Sequence, residues 1–293
     1  MTDAARVAIA TAAEFPDLDN DGPVLLAALK QRGIAGEPAV WTDPRIDWAT
    51  YDLVVVRSTW DYAPRRDEFL DWAHAVEKVT RLFNPADVLA WNTDKRYLAG
   101  LADAGVPVVP TAWAASRDEL PAALDRWDDV VVKPTVSAGA RDTARFRPGE
   151  RDAAGGLAGQ ILASGRSVMV QPYLAHLDAD GETGLVYLDG AFSHAFRKGA
   201  LLAGAALGPG LYAEEEIEPR VPTAAQRAVA DAVLAATTDR TGGAPLYARV
   251  DLVPGPDDAP VLIELELTEP SLFLATDDGA AARVAAVIAA RVG

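Results

Sequence analysis

The sequence predicts an α/β protein whose later part is α+β, and three observations predict it. Strand-like and helix-like segments alternate over residues 1–92, the order that builds a sheet covered by helices. Leu53-Val54-Val55-Val56 is a continuous apolar run, as found in parallel strands buried on both faces. Near the end, Tyr247–Val253 and Val261–Leu267 each alternate apolar with polar residues around a Pro/Gly/Asp turn at 254–258, the pattern of a hairpin.

Taken in order, residues 6–11 read as the first strand, and Gly22–Arg32 as an amphipathic helix closed by Gly33. Tyr51–Arg57 is the next strand, and Phe69, Ala73, Val76 and Val79 give helical spacing to Arg65–Val79. The strand at 53–56 runs into Arg57-Ser58-Thr59-Trp60-Asp61-Tyr62. Ligands of open α/β sheets bind at the carboxyl ends of strands, so these residues are candidates for a substrate pocket. The plainer reading is a loop with a surface arginine and a core tryptophan. A helix capped by Asn92 or Thr93 is expected to run to Gly105, with Lys95 in its first turn, where a cation opposes the helix dipole.

Asp129–Lys133 reads as a buried strand ending in lysine, followed by Pro134 and a small-residue loop over 135–143 that contains Ser137 and Gly139. Such a loop lets backbone N–H groups approach phosphates, while lysine supplies a point charge. Many strands end in lysine before a turn, and here the lysine precedes the loop, which is not the Walker arrangement. Ser167–Leu174 is a strand running into Gln171-Pro172-Tyr173-Leu174. Glu182–Leu188 and Phe192–Phe196 flank the turn Asp189-Gly190. Arg197-Lys198 follows, then a Gly/Ala/Leu loop to Gly210, a candidate mobile segment that raises the question of closure over a site. The acidic run Glu214-Glu215-Glu216 reads as a solvated face. Thr223 and Gln226 have capping-box spacing for a helix to about Thr238, and an Ala-rich helix over 277–291 closes the chain.

Burial sets the register of the last hairpin. Val250 and Leu252 are expected to share a face with Ile263, Leu265 and Leu267, which places Asp251 opposite Glu264 and Arg249 opposite Glu266. Directly opposed Cβ atoms are about 4.5–5.5 Å apart. Carboxylates gathered this closely repel one another unless a cation joins them, so the face suggests a site for a hard divalent ion.

Composition limits the alternatives. The chain has 293 residues, which suits about two domains, and a formal charge of −16. That charge argues against nucleic acid or an anionic membrane as a general partner. There is no cysteine, which excludes disulfides, thiolate catalysis and Cys-based zinc sites, and the three histidines are widely spaced. Arg6 and the apolar residues after it imitate a short signal peptide, but a first strand is the better reading and a cytoplasmic location is expected.

The ordered set of a lysine near a helix start, Lys-Pro with a small-residue loop, Gln-Pro-Tyr-Leu, Arg-x-Asp and Glu-x-Glu resembles the ATP-grasp superfamily. The resemblance covers most of the chain and implies a Rossmann-like domain over 1–92 on the substrate side. It further implies a small lid subdomain over 93–172 and a C-terminal subdomain with the metal site over 173–293. It implies that Lys95, Lys133, Ser137 and Gly139 meet ATP phosphates, that Gln171, Tyr173 and Leu174 receive adenine, and that Glu182 takes the ribose or adenine side. By the same carry-over, Asp251, Glu264 and Glu266 hold magnesium (two ions, with Mn²⁺ as an alternative). Lys198 stands near the γ-phosphate and Arg249 steadies the transition state. Glu266 departs from the family, which usually has Asn there, and the phosphate loop has fewer glycines than many members.

The strings Arg-Ser-Thr-Trp-Asp-Tyr and Glu-Leu-Thr-Glu-Pro-Ser resemble the O-ureido-serine cyclo-ligase subgroup, an activity of antibiotic biosynthesis. That implies a carboxylate activated as an acyl phosphate and closed into a ring by the substrate's own ureido nitrogen. Arg57, Asp61 and Arg197 would fix the charges of a small amino-acid-like carboxylate, with Ser58, Thr59, Trp60 and Tyr62 around it. An intermolecular carboxylate–amine ligase resembling glutathione synthetase, and a nucleotide-binding module without catalysis, are the competing expectations. A homo-oligomer is left open.

Overall fold

The computed structural model describes residues 4–199, 216–255 and 257–292. The first sheet is parallel, in the order β2-β1-β3-β4, from β1 (Ala5–Thr11), β2 (Ile34–Val40), β3 (Leu53–Val56) and β4 (Arg81–Phe83). Helix α1 (Gly22–Gln31) connects β1 to β2, and α2 (Arg66–Glu77) connects β3 to β4. Strand β2 has no apolar run to announce it, because Gly36 and Pro38 interrupt it. It lies at the sheet edge, where proline is tolerated. A Cβ on Gly36 would come within 2.8 Å of Leu29, so glycine lets α1 sit close against this strand.

Two short helices, α3 (Ala86–Asn92) and α4 (Tyr97–Asp103), stand where one helix starting at Asn92 was expected. Asn92 ends the first of them. Its buried side chain accepts a hydrogen bond from the N–H of Leu267 (2.7 Å) and donates to the carbonyl of Leu265 (2.7 Å), so it serves a strand and not a helix terminus. Lys95 therefore sits in the connector, where its N–H donates to Thr135 O at 2.8 Å.

The second sheet is antiparallel, β5-β8-β6-β7, from β5 (Ala112–Ala114), β6 (Val130–Pro134), β7 (Ala144–Phe146) and β8 (Val168–Pro172). Leu120 and Leu124 of α5 (Leu120–Leu124) and Ala158 and Ile161 of α6 (Arg151–Ala163) pack on Val130, Val132 and Val170. The short α7 (Leu177–Asp180) leads to a third sheet, β11-β10-β9-β12-β13, again antiparallel. Its strands are β9 (Glu182–Leu188), β10 (Ala191–Lys198), β11 (Ile217–Pro219), β12 (Tyr247–Pro254) and β13 (Pro260–Glu266). Helix α8 (Ala224–Thr241) packs on this sheet behind the expected capping box of Thr223 and Gln226. The last helix, α9 (Ala280–Val292), places Val284 and Ile288 in one core with Val7, Leu25, Val186 and Tyr247, so it ties the first sheet to the third. The expected loop from residue 200 to 210, and Glu214-Glu215, lie outside the described residues. Among the described residues no helix is long and apolar enough to cross a membrane.

The β12–β13 pairing sets Arg249 opposite Glu266 and Asp251 opposite Glu264, as the burial argument requires. One part of that argument is corrected. The ladder then shifts, so Leu252 faces Leu262 and Ile263 is left over as a bulge. An extra residue reverses the alternation beyond it. Leu262 joins Val250, Leu252 and Leu265 in the core, while Ile263 packs with Val109, Leu174, Leu177 and Val253.

Asn84 joins the end of the first sheet to the third. Fully buried, it donates to Tyr247 O (3.0 Å) and Leu267 O (2.7 Å) and accepts from Leu246 N–H (2.7 Å). Asn84→Ala strands three buried backbone groups, each worth about 1–3 kcal/mol when unsatisfied. The expected result is a loss of at least about 3 kcal/mol in urea unfolding; a loss under about 1 kcal/mol would contradict it.

Candidate active site

A cavity opens where the second and third sheets face one another, with the turn after β3 at one end. Lys95, Lys133, Ser137, Gly139, Gln171, Tyr173, Leu174, Glu182, Lys198, Arg249, Glu264 and Glu266 line it, as do Trp60 and Tyr62 from the turn. Lys133 is delivered by β6, Glu182 and Lys198 by the paired ends of β9 and β10, and Arg249, Glu264 and Glu266 by the hairpin. Gly181, just before β9, fixes this junction: its φ is +66°, and a Cβ there would meet Lys198 O at 2.2 Å. In the loop after β6, Gly139 also lies in the left-handed region at +62°.

The charges interlock. Lys95 Nζ lies 3.1 Å from Glu264 and donates to Ser137 O at 2.8 Å. Lys198 Nζ lies 3.3 Å from Glu182 and 3.7 Å from Asp251. Arg249 grips Asp251 with Nε and Nη2 at 2.8–3.1 Å, bonds Glu266 with Nη2, and donates Nη1 to Ser271 O at 3.0 Å. Burial would raise the Glu264 carboxyl, but the ammonium groups of Lys95 and Lys133 outweigh it and hold the group down at about 2. Burial, with Glu264 and Asp251 nearby, raises Glu266 in spite of Arg249. Burial, aided by Lys95 and Lys198, lowers the Lys133 ammonium. These groups are tuned by burial and by each other, the condition expected of a site that handles a highly charged ligand.

Away from the charges the cavity is apolar. Val109, Val131, Leu174, Leu177 and Ile263 form a slot beside Gln171, whose Nε2 donates to Thr111 Oγ1 at 3.0 Å. The Arg145 guanidinium lies 3.4 Å over the Tyr173 ring, and the Tyr173 hydroxyl donates to Asp178.

Several candidates lie outside the lining. Asp251 is 1% exposed and sits behind Arg249. Arg57 faces Asp21 at 3.4 Å and Asp19 at 3.9 Å, and Ser58 Oγ accepts from Asp19 N–H. Asp61 accepts from Trp41 Nε1 at 2.8 Å, and Arg197 donates to the carbonyls of Ala179 and Asp180. Thr59 is buried with an unpartnered hydroxyl. Conversely, sequence reasoning gave no site role to Glu269, Ser271 or Asn92, which line the cavity. Glu269 did carry a signal, as a further acidic residue three positions past the Glu-x-Glu pair. Its carboxyl is pushed up to about 8 by burial first and by Glu266 next.

Among the described residues no group of three or more His, Asp or Glu side chains is placed to enclose a metal on protein ligands alone. Glu264 and Glu266 nevertheless present hard oxygens to the cavity, and Mg²⁺ binds through one or two carboxylates while phosphates and waters complete its octahedron. The donor set fits that ion.

Interleaved lysines and carboxylates between two antiparallel sheets, beside an apolar slot, define an ATP-grasp ligase. The solved structure of the ATP-grasp ligase PsnB complexed with minimal precursor, Mg and ADP shares the fold, with a TM-score of 0.63 over 97% of this chain and 98% of that one at 19% identity. Residues 7–84 match the family model of the D-cycloserine synthetase DcsG N-terminal domain. The cycloserine biosynthesis protein DcsG of Streptomyces lavendulae is 41% identical over 298 aligned residues, 98% of each chain. The crystal structure of D-cycloserine synthetase DcsG superposes with a TM-score of 0.90 at 37% identity, over 99% of this chain and 100% of that one. The chain belongs to the DcsG family of ATP-grasp enzymes, and it is an ATP-dependent, C–N bond-forming ligase.

The raised Glu269 carboxyl makes a pH prediction for the ligand-free protein. The folded state holds this proton up to about pH 8, whereas the unfolded chain releases it near 4.5. The stabilisation is complete below 4.5 and is lost as pH rises toward 8, at up to about 1.4 kcal/mol per pH unit. Glu269→Gln cannot ionise. Its stability advantage over the wild type in urea unfolding is therefore expected to widen from pH 5 to pH 8; a constant difference would contradict the assignment.

Proposed function

We propose that this enzyme closes O-ureido-D-serine into D-cycloserine at the expense of ATP, a step of antibiotic biosynthesis. The observation that carries the reading is the convergence of Lys95, Lys133, Lys198 and Arg249 on Glu264 and Glu266 beside an apolar slot, in a chain alike over nearly its whole length to DcsG. In this reading residues 1–92 form the substrate side, while 93–172 and 173–293 close on the nucleotide. The adenine occupies the slot of Val109, Leu174 and Ile263 beside Gln171 and Tyr173, with Glu182 toward the ribose. Lys95, Lys133, Ser137 and Gly139 hold the phosphates.

Glu264 and Glu266 would hold Mg²⁺, two ions in the full site or Mn²⁺ in its place, with Asp251 behind them. When bound, the metal neutralises the β- and γ-phosphate oxygens. A bound nucleotide also replaces the carboxylates as partner of Lys95 and Lys198. Arg249 faces the charge spread over the transferred phosphoryl group, with Lys198 near the γ-phosphate and Arg197 next to it in sequence. The substrate carboxylate takes the γ-phosphoryl group and becomes an acyl phosphate, releasing ADP. The ureido nitrogen bonded to oxygen attacks the acyl carbon, the bond to phosphate breaks, and a five-membered ring closes. Water then removes the carbamoyl group as CO₂ and ammonia.

The test is phosphate release from ATP with Mg²⁺ and O-ureido-D-serine, with D-cycloserine measured alongside. Phosphate and D-cycloserine are expected in equal amounts without an added amine. Turnover only when a separate amine is supplied would transfer the reading to an intermolecular ligase, and no phosphate release with this substrate would overturn it.

Two variants check the residue roles. Glu264→Gln is expected to lower phosphate release at least about 100-fold while the circular dichroism spectrum is kept, because the charge that draws the metal is lost. Lys133→Ala is expected to weaken ATP binding at least about 10-fold by calorimetry. Wild-type turnover in the first, or an unchanged nucleotide Kd in the second, would remove that residue from the site.

A further inference from the structure

Among the described residues, every carboxylate that lines the cavity has an ion-pair partner except one. Glu182 pairs with Lys198, Glu264 with Lys95 and Glu266 with Arg249, whereas Glu269 makes no ion pair among the described residues. Yet Glu269 is 8% exposed and lines the same space. Trp60 Nε1 donates to its backbone carbonyl at 3.0 Å, which pins the residue to the turn after β3, and Tyr62 lines the same end of the cavity. Burying a carboxylate without a counter-ion is costly, and the cost disappears if a ligand brings the cation.

The charged residues that sequence analysis assigned to the substrate are otherwise engaged. Arg57 faces Asp19 and Asp21 through Nη2, with its buried Nη1 making no hydrogen bond among the described residues, Asp61 holds Trp41, and Arg197 holds the carbonyls before β9. Glu269 thus stands at the Trp60–Tyr62 end of the cavity with two aromatic rings beside it, surroundings that suit an ammonium group. The inference rests on the ligase reading above and deepens it.

We propose that Glu269, with Trp60 and Tyr62, forms the subsite that recognises the α-ammonium group of the substrate and restricts the enzyme to amino-acid carboxylates. The substrate is then held by both groups of its α-carbon, the carboxylate toward Arg249 and the phosphates and the ammonium toward Glu269, which leaves the ureido arm free to fold back on the acyl carbon. A carboxylic acid of the same length without the amine cannot form the ion pair with Glu269, and binds more weakly for that reason.

The test uses the full-length protein with Mg²⁺ and a non-hydrolysable ATP analogue, so that binding is read without turnover. Calorimetry compares O-ureido-D-serine with its des-amino analogue, 3-(ureidooxy)propanoate, on the wild type and on Glu269→Gln, which keeps the size of the side chain. The wild type is expected to prefer the amino compound by about 10- to 100-fold. The variant is expected to lose that preference to within about 3-fold while binding the nucleotide analogue with unchanged affinity. Unchanged nucleotide affinity also shows that the variant is folded. A wild type that prefers the amino compound, with a variant that keeps the same preference, overturns the ammonium subsite alone. A wild type that binds the nucleotide but neither compound overturns the substrate reading, and this inference with it.

Discussion

The site depends on one constraint: carboxylates placed on a packed hairpin must be neutralised where they stand. The β12–β13 ladder puts Arg249 beside Asp251 and Glu266, and it puts Glu264 opposite Asp251. Without cations this face would unfold the hairpin through repulsion and desolvation. Arg249 is supplied by the hairpin itself. Lys95 comes from the connector between α3 and α4, and Lys198 from the end of β10, so the need for neutrality draws remote parts of the chain to one place. In the proposed function, a bound nucleotide and metal would give these same cations new partners. A charge cluster that is satisfied when empty and rearranges on binding can keep its fold in both states.

The bulge at Ile263 gives the hairpin a second role. Up to the Asp251–Glu264 pair the hairpin presents the charges of Arg249, Glu264 and Glu266 to the cavity; beyond the shift the core-facing position passes to Leu262, and Ile263 turns to the apolar side with Leu174 and Leu177. One extra residue therefore separates a polar region from an apolar slot along a single strand. A regular ladder would have buried Ile263 and removed one wall of that slot. Asn92 and Tyr97 then lock the shifted strand, with Asn92 bonding Leu265 O and Leu267 N–H and the Tyr97 hydroxyl bonding both N–H and C=O of Leu265.

Much of this was legible in the sequence where periodicity and burial speak together. The pairing of Asp251 with Glu264 followed from alternation and burial, β3 from its continuous apolar run, and the capping box from the spacing of Thr223 and Gln226. What escaped notice had physical reasons. Strand β2 carries Gly36 and Pro38, residues an edge strand accepts but propensity rejects. Asn92 looked like a helix cap because its side chain is equally suited to bonding a distant strand, and local sequence does not distinguish the two uses. The bulge was invisible because Leu262 and Ile263 are both apolar, so neither residue type marks which one faces the core.

The substrate end of the cavity illustrates the same limit and what resolves it. Arg57, Asp61 and Arg197 are charged and lie at plausible strand ends, yet each is absorbed by a partner inside the fold: Asp19 and Asp21, Trp41, or the carbonyls before β9. A charge whose partners lie within the protein organises the protein. Among the described residues Glu269 lies in the cavity without an ion-pair partner, although in sequence it is only one more acidic residue after Glu264 and Glu266. Residue type shows where charge is present; the pairing in three dimensions shows which charge is left for a ligand. By that criterion the proposed recognition of a substrate's cationic group moves from the strand-end aspartate to the loop after β13, which Trp60 of the turn after β3 contacts.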